Sequence, residues 1–156
     1  KNFVEKCSIS GIDGLIIVDL QPEEDTELYD TLKLFNIDLI RLITPTTTEK
    51  RLKIISNHAS GFLYYITVTG VTGQKSANID ELNKNIKNIR NFSDLPIVAG
   101  FGINNPLQVS EICKIADGAV VGSSIVKIIE ENIDQKNIML KAITDFIKKL
   151  KKGTIL

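Results

Sequence analysis

The sequence predicts an α/β fold and, within that class, part of a (β/α)8, or TIM, barrel. Three observations carry the prediction. Five short apolar runs alternate strictly with amphipathic helical segments, which implies parallel strands joined by right-handed crossovers. The last two runs each end in a glycine turn: Gly100-Phe101-Gly102 follows Ile97-Val98-Ala99, and Gly122-Ser123-Ser124 follows Ala119-Val120-Val121. A short helical segment then follows the second turn, the arrangement found beside the phosphate site of such barrels. In a doubly wound nucleotide fold, the glycine turn is expected after the first strand instead. A complete barrel takes eight strands and about 250 residues, so the chain supplies about the last five of its β/α units. A single domain over residues 1–156 is expected.

Composition narrows the function classes. The 19 basic and 19 acidic side chains cancel, whereas nucleic-acid and anionic-membrane binding usually leave a basic excess. No apolar run approaches the roughly 20 residues of a membrane span, and the N-terminal KNFVEKCSIS lacks the apolar core of a signal peptide. Cys7 and Cys113 have no metal or redox spacing, and a single histidine rules out a Cys/His zinc site. A cytoplasmic protein with two reduced thiols and no metal is expected. Phe3, Val4 and Cys7 already follow helical spacing at the start of the chain. Processing or a missing N-terminal portion would each explain such a start.

The elements follow in order. Leu15-Ile16-Ile17-Val18 reads as a strand buried on both faces. Pro22-Glu23-Glu24-Asp25 starts a helix, with proline in the first turn and acids complementing the dipole. Its stripe is Leu28, Leu32 and Phe35, and Asn36 is the stop. Asp38 to Thr44 is the next strand. Arg41 points away from the face of Ile40 and Leu42, and is expected to run out beside a helix with its stem buried. Thr46 and Glu49 resemble a capping box for the helix carrying Leu52 and Ile55. His58, near that helix's end, reads as a solvated or dipole partner rather than a catalyst.

Phe62 to Thr67 is the third strand. The long polar connection VTGVTGQKSAN after it is a candidate closing loop. Asn78 with Glu81 caps the next helix, whose stripe is Ile79, Leu82, Ile86 and Ile89. Asn105 caps, and Pro106 starts, the helix between the two glycine turns, with Val109, Ile112 and Ile115 facing inward. A short helix over 124–132 precedes a longer one with Leu140, Ile143, Ile147 and Leu150 as its stripe. Lys148, Lys149, Lys151 and Lys152 form its solvated, dipole-complementing end. The glycine turns themselves suit an anion: without a Cβ the backbone N–H approaches closely, and a following helix adds unpaired N–H groups.

Four stretches, DGLIIVDLQPEE, TVTGVTG, PIVAGFGINNP and GAVVGSSIVKIIE, together make the chain resemble the C-terminal part of the tryptophan synthase α subunit, from about Gly11 to about Leu150. The resemblance implies that these are barrel strands 4 to 8, with strands 1 to 3 before Lys1. It implies cleavage of indole-3-glycerol phosphate to indole and glyceraldehyde 3-phosphate, a retro-aldol type of reaction serving tryptophan biosynthesis. It implies no metal or cofactor in this chain. The expected partner is a β subunit that uses pyridoxal phosphate, in an α2β2 complex.

The glutamate and aspartate that do the family's acid–base chemistry lie in the region expected before Lys1, so no catalytic residue is assigned here. Asp19 is the tempting substitute, but its expected task is holding the strand end or the loops facing the β subunit. By the same resemblance Gly73, Gly102, Gly122 and Ser123 form the phosphate cup. Tyr64 and Phe101 contact the substrate, and Ile16, Val18 and Leu42 are apolar walls of the indole pocket. Thr72 belongs to loop closure. Two positions depart from the pattern. Gln21 stands where proline is usual, in the loop expected to contact the partner subunit, and Arg41 replaces a usually apolar residue. Two other readings remain open: a non-catalytic phosphate-binding partial barrel or partner-binding relic, and indole-3-glycerol phosphate synthase. Against the latter, the strands end in Asp19, Thr44, Thr67, Gly100 and Gly122 rather than lysine and glutamate.

Overall fold

The structure is a computed structural model and describes residues 2–66, 79–100 and 102–155. Strands and helices alternate: α1 (Asn2–Ile9), β1 (Gly14–Ile16), α2 (Thr26–Leu34), β2 (Asp38–Ile43), α3 (Glu49–Asn57), β3 (Leu63–Ile66), α4 (Ile79–Ile89), β4 (Ile97–Gly100), α5 (Pro106–Cys113), β5 (Gly118–Val120), α6 (Ser123–Glu131) and α7 (Lys136–Lys151). The strand order follows the chain, β1-β2-β3-β4-β5. This is the order that successive right-handed crossovers give in a barrel. The expectations for Thr67, Thr72, Gly73, Asn78 and Phe101 lie outside the described residues. The chain divides into two compact units, one of residues 1–66 with 87–97 and one of residues 67–86 with 98–156.

In the first unit, β1 pairs in parallel with β2, Ile16 opposite Ile40, and β2 with β3, Leu42 opposite Tyr64. The Leu63 N–H donates to the Pro96 carbonyl at 2.8 Å, at the root of β4. Alternation along β2 and β3 buries Leu39, Ile43, Leu63 and Tyr65 and leaves Leu42 and Tyr64 half-buried. The core between α1, α2 and the sheet is Val4, Cys7, Leu32, Ile37 and Leu39, with Leu15, Leu28, Tyr29 and Phe35 packed on it. α2 stops at Phe35, and Asn36 takes the left-handed conformation (φ 54) that asparagine tolerates.

Three local expectations are corrected. The first strand ends at Ile16, and Ile16 is 46% exposed rather than buried on both faces. Beyond β1 the Leu20 carbonyl accepts from Arg41 instead of continuing the ladder. Pro22–Glu24 is a 3-10 turn, and α2 starts after Asp25, whose side chain turns inward. The cap of α3 is Thr48, which accepts from the Arg51 N–H, while the Thr46 hydroxyl bonds Thr44.

In the second unit β4 and β5 pair in parallel, Val98 opposite Gly118. Asn105 caps α5 as expected. Its side chain accepts from the Gln108 N–H at 3.0 Å, and Gln108 Oε1 accepts in return from the Asn104 N–H. After α7, Gly153 is buried against α5: a Cβ there would lie 2.2 Å from the Pro106 carbonyl oxygen. Gly153→Ala is therefore expected to cost about 1–3 kcal/mol as an overpacking substitution. Urea denaturation checks this; an unchanged midpoint would refute the close approach.

Candidate functional site

Two turns of the second unit come together. The first follows β4: Gly102 has a positive φ of 24°, which disfavours any side chain. The second follows β5, where Gly122 caps α6 without a side-chain hydrogen bond and Ser123 begins the helix. Ser124 ties them, its Oγ donating to the Ile103 carbonyl at 2.7 Å. Gly102, Gly122 and Ser123 are all exposed, and a Cβ built on either glycine meets nothing within 4 Å among the described residues. The result is an open backbone cradle at the N-terminus of a helix, where N–H groups and the helix dipole favour an anion.

The first unit carries the proposed wall residues. Leu42 and Tyr64 are register partners and share a face. Val18 and Leu42 line a cavity of about 90 Å³ with Leu20, Pro22 and Arg41. Ile16 is not among its lining residues, and Val18 is 69% exposed. Asp19 is exposed in the turn after β1.

The unforeseen feature is a buried charge cluster behind that cavity. Asp25 is fully buried and Arg41 is 5% exposed. The Arg41 guanidinium pairs with the Asp25 carboxylate, donates from Nη1 to the Leu20 carbonyl at 2.8 Å, and from Nε to the His58 carbonyl at 3.1 Å. His58 Nδ1 lies 2.7 Å from Asp25 Oδ1, and its ring stacks on Tyr29. Arg41 therefore does not carry its charge out to water, and His58 is not simply solvated. Burial pulls the Arg41 guanidinium below its ordinary range; Arg51 acts in the same direction and Glu23 opposes. No local signal in the sequence pairs these residues, because Asp25, Arg41 and His58 lie 16 to 33 positions apart.

A larger cavity of about 580 Å³ lies among α5, β5, α6 and α7, lined by Val109, Cys113, Val121, Ile125 and Leu150 among others. None of the cradle residues lines it. Burial pushes the Cys113 thiol up, away from reactive thiolate. Among the described residues no cluster of side chains could hold a metal ion, and no described helix is long and apolar enough to cross a membrane.

Residues 1–155 match the family described as Tryptophan synthase alpha chain. The chain belongs to that family. It is 45% identical over 135 residues to the tryptophan synthase alpha chain of Methanocaldococcus jannaschii, covering 86% of this chain and 48% of that one. The tryptophan synthase subunit alpha of Legionella pneumophila superposes with a TM-score of 0.85 at 29% identity, over 98% of this chain and 56% of that one. A Mycobacterium tuberculosis tryptophan synthase structure matches at TM-score 0.80 and 26% identity, over 99% of this chain and 55% of that one. The chain thus spans about half the length of the alpha chains it matches. The five strands alternating with helices correspond to part of the alpha-chain TIM barrel. Alpha chains use no cofactor of their own, pyridoxal phosphate being in the beta subunit, and homologues form complexes with that subunit.

Proposed function

We propose that the chain is the phosphate-binding portion of a tryptophan synthase alpha subunit, barrel strands 4 to 8 of one barrel domain. Its substrate is indole-3-glycerol phosphate, cleaved to indole and glyceraldehyde 3-phosphate. The observation that carries the reading is the cradle: Ser124 joins the two glycine turns, and among the described residues no atom lies within 4 Å of a Cβ built on Gly102 or Gly122. In this reading the phosphate sits on the backbone N–H groups of Gly122 and Ser123 and on Gly102, joined by Gly73. The indole end meets Tyr64, Leu42 and Phe101, with Ile16 and Val18 as further apolar wall. The exposure of Ile16 and Val18 suits positions that a ligand covers. Thr72 belongs to the closing loop, and a beta subunit is the partner.

Cleavage requires protonation of indole C3, polarisation of N1–H and deprotonation of the glycerol hydroxyl. The glutamate and aspartate for these steps belong to strand 2 and the loop after it, outside this chain. The chain's own task is binding and orientation, which converts to rate only when the acid and base are held against the same substrate. The isolated chain is therefore expected to release no measurable indole, with or without a beta subunit. Joined to strands 1 to 3 of the Methanocaldococcus jannaschii relative, it is expected to turn over. An indole-release assay decides: turnover by residues 1–156 alone, or none from the completed chain, would sink this reading.

A further inference from the structure

The β1–β2 ladder ends at the pair Ile16–Ile40. The next two residues of β2, Arg41 and Leu42, border the cavity of about 90 Å³ instead. The cause is local. Arg41 donates to the Leu20 carbonyl at 2.8 Å, which draws the chain after β1 aside from the ladder. The guanidinium is itself drawn off, to the Asp25 carboxylate and the His58 carbonyl. The head of the longest side chain at the cavity is therefore held by fixed partners and leaves the space open.

Exposure falls across the lining. Val18 is 69% exposed and Leu42 is half-buried, whereas Pro22, Arg41 and Ile55 are buried. The cavity thus opens at Val18 and Leu42 and ends on Pro22, Arg41 and Ile55. Apart from Arg41, every lining side chain is apolar. Its volume is several times the roughly 10–15 Å³ needed to admit one water-sized group. The two residues at the mouth are those assigned above to the wall of the indole site. We propose that the cavity is a side pocket of that site and accepts a small apolar substituent, such as a methyl group, on the six-membered ring of an indole-3-glycerol phosphate. The inference rests on the alpha-subunit reading of the site. A methyl group that leaves water for apolar walls tightens binding about fourfold.

The test uses the chain completed with strands 1 to 3 of the Methanocaldococcus jannaschii relative. It is titrated calorimetrically with indolepropanol phosphate and with derivatives carrying a methyl group at each free position of the six-membered ring. One derivative is expected to bind about fourfold tighter than the unsubstituted compound, and the others no tighter. Leu20→Phe places a ring in the cavity and leaves the Leu20 carbonyl on Arg41. It is expected to erase the gain while binding of the unsubstituted compound stays unchanged. Ile55→Val deepens the floor by a methyl group and is expected to shift the preference from methyl to ethyl at the same ring position. Urea midpoints establish that each variant folds, and if Leu20→Phe does not, Ile55→Val decides alone. A gain that survives Leu20→Phe, or a preference that Ile55→Val leaves unmoved, overturns the side pocket. Binding of the unsubstituted compound without a gain at any methyl position overturns the side pocket alone. No binding of the unsubstituted compound overturns the alpha-subunit reading of the site, and the side pocket with it.

Discussion

Asp25→Ala is expected to destabilise the first unit by about 3–5 kcal/mol, and Asp25→Ala/Arg41→Leu to recover most of that loss. Asp25 is completely buried, and Arg41 nearly so. Removing the carboxylate leaves a guanidinium with two backbone carbonyls for partners and without its paired countercharge. A buried charge in that position cannot shed its proton, so the penalty falls on folding. Replacing both partners by apolar groups removes the desolvation cost along with the attraction, which is often close to neutral. The 90 Å³ cavity beside Arg41 gives the leucine side chain room to settle. Urea denaturation of the two single variants and the double variant measures the coupling. Strictly additive losses would show that the two charges do not depend on each other.

Gly122→Asp should do the reverse, leaving folding intact while removing phosphate binding. Gly122 is exposed, its φ is −121°, and among the described residues a Cβ there meets no atom within 4 Å. It also occupies the cap position of α6, which lacks a side-chain hydrogen bond, and aspartate is a favourable cap. Thermal stability is therefore expected to hold or rise slightly. A carboxylate in the cradle, however, would face the phosphate that the proposed function places there. Like charges about 4 Å apart near a protein surface repel by about 4 kcal/mol at an effective dielectric constant near 20. Binding of indolepropanol phosphate by the completed chain is expected to weaken at least about a hundredfold. Calorimetric titration reads it directly. Retained affinity would mean that the phosphate sits elsewhere.

Much of the fold is legible from short stretches. Asn36 as a helix stop, Asn105 as a cap and Pro106 as a first helical residue all occupy those positions in the structure. Each works through its own backbone and its immediate neighbours, so a few residues of context suffice. The Thr48 cap illustrates the limit of that reading. Three successive threonines offer equivalent hydroxyls, and only the path of the chain between Thr44 and α3 selects one. The cradle was legible for the same reason as the caps, since glycines directly after an apolar run can be recognised without knowing what they face. Its closure by Ser124 was not, because the Ile103 carbonyl lies 21 residues away.

The alternation of apolar runs with helical stripes is a local property, and it was enough to establish a parallel α/β chain with two glycine turns at its end. The motif set was enough to identify the family. Burial of Asp25 with Arg41 and His58 was a matter for tertiary structure alone. The three residues are separated by 16 to 33 positions along the chain, and each taken singly has a satisfactory solvated reading. Only when β2, α2 and α3 are packed does water leave that space. Three side chains that could each have been hydrated must then satisfy one another.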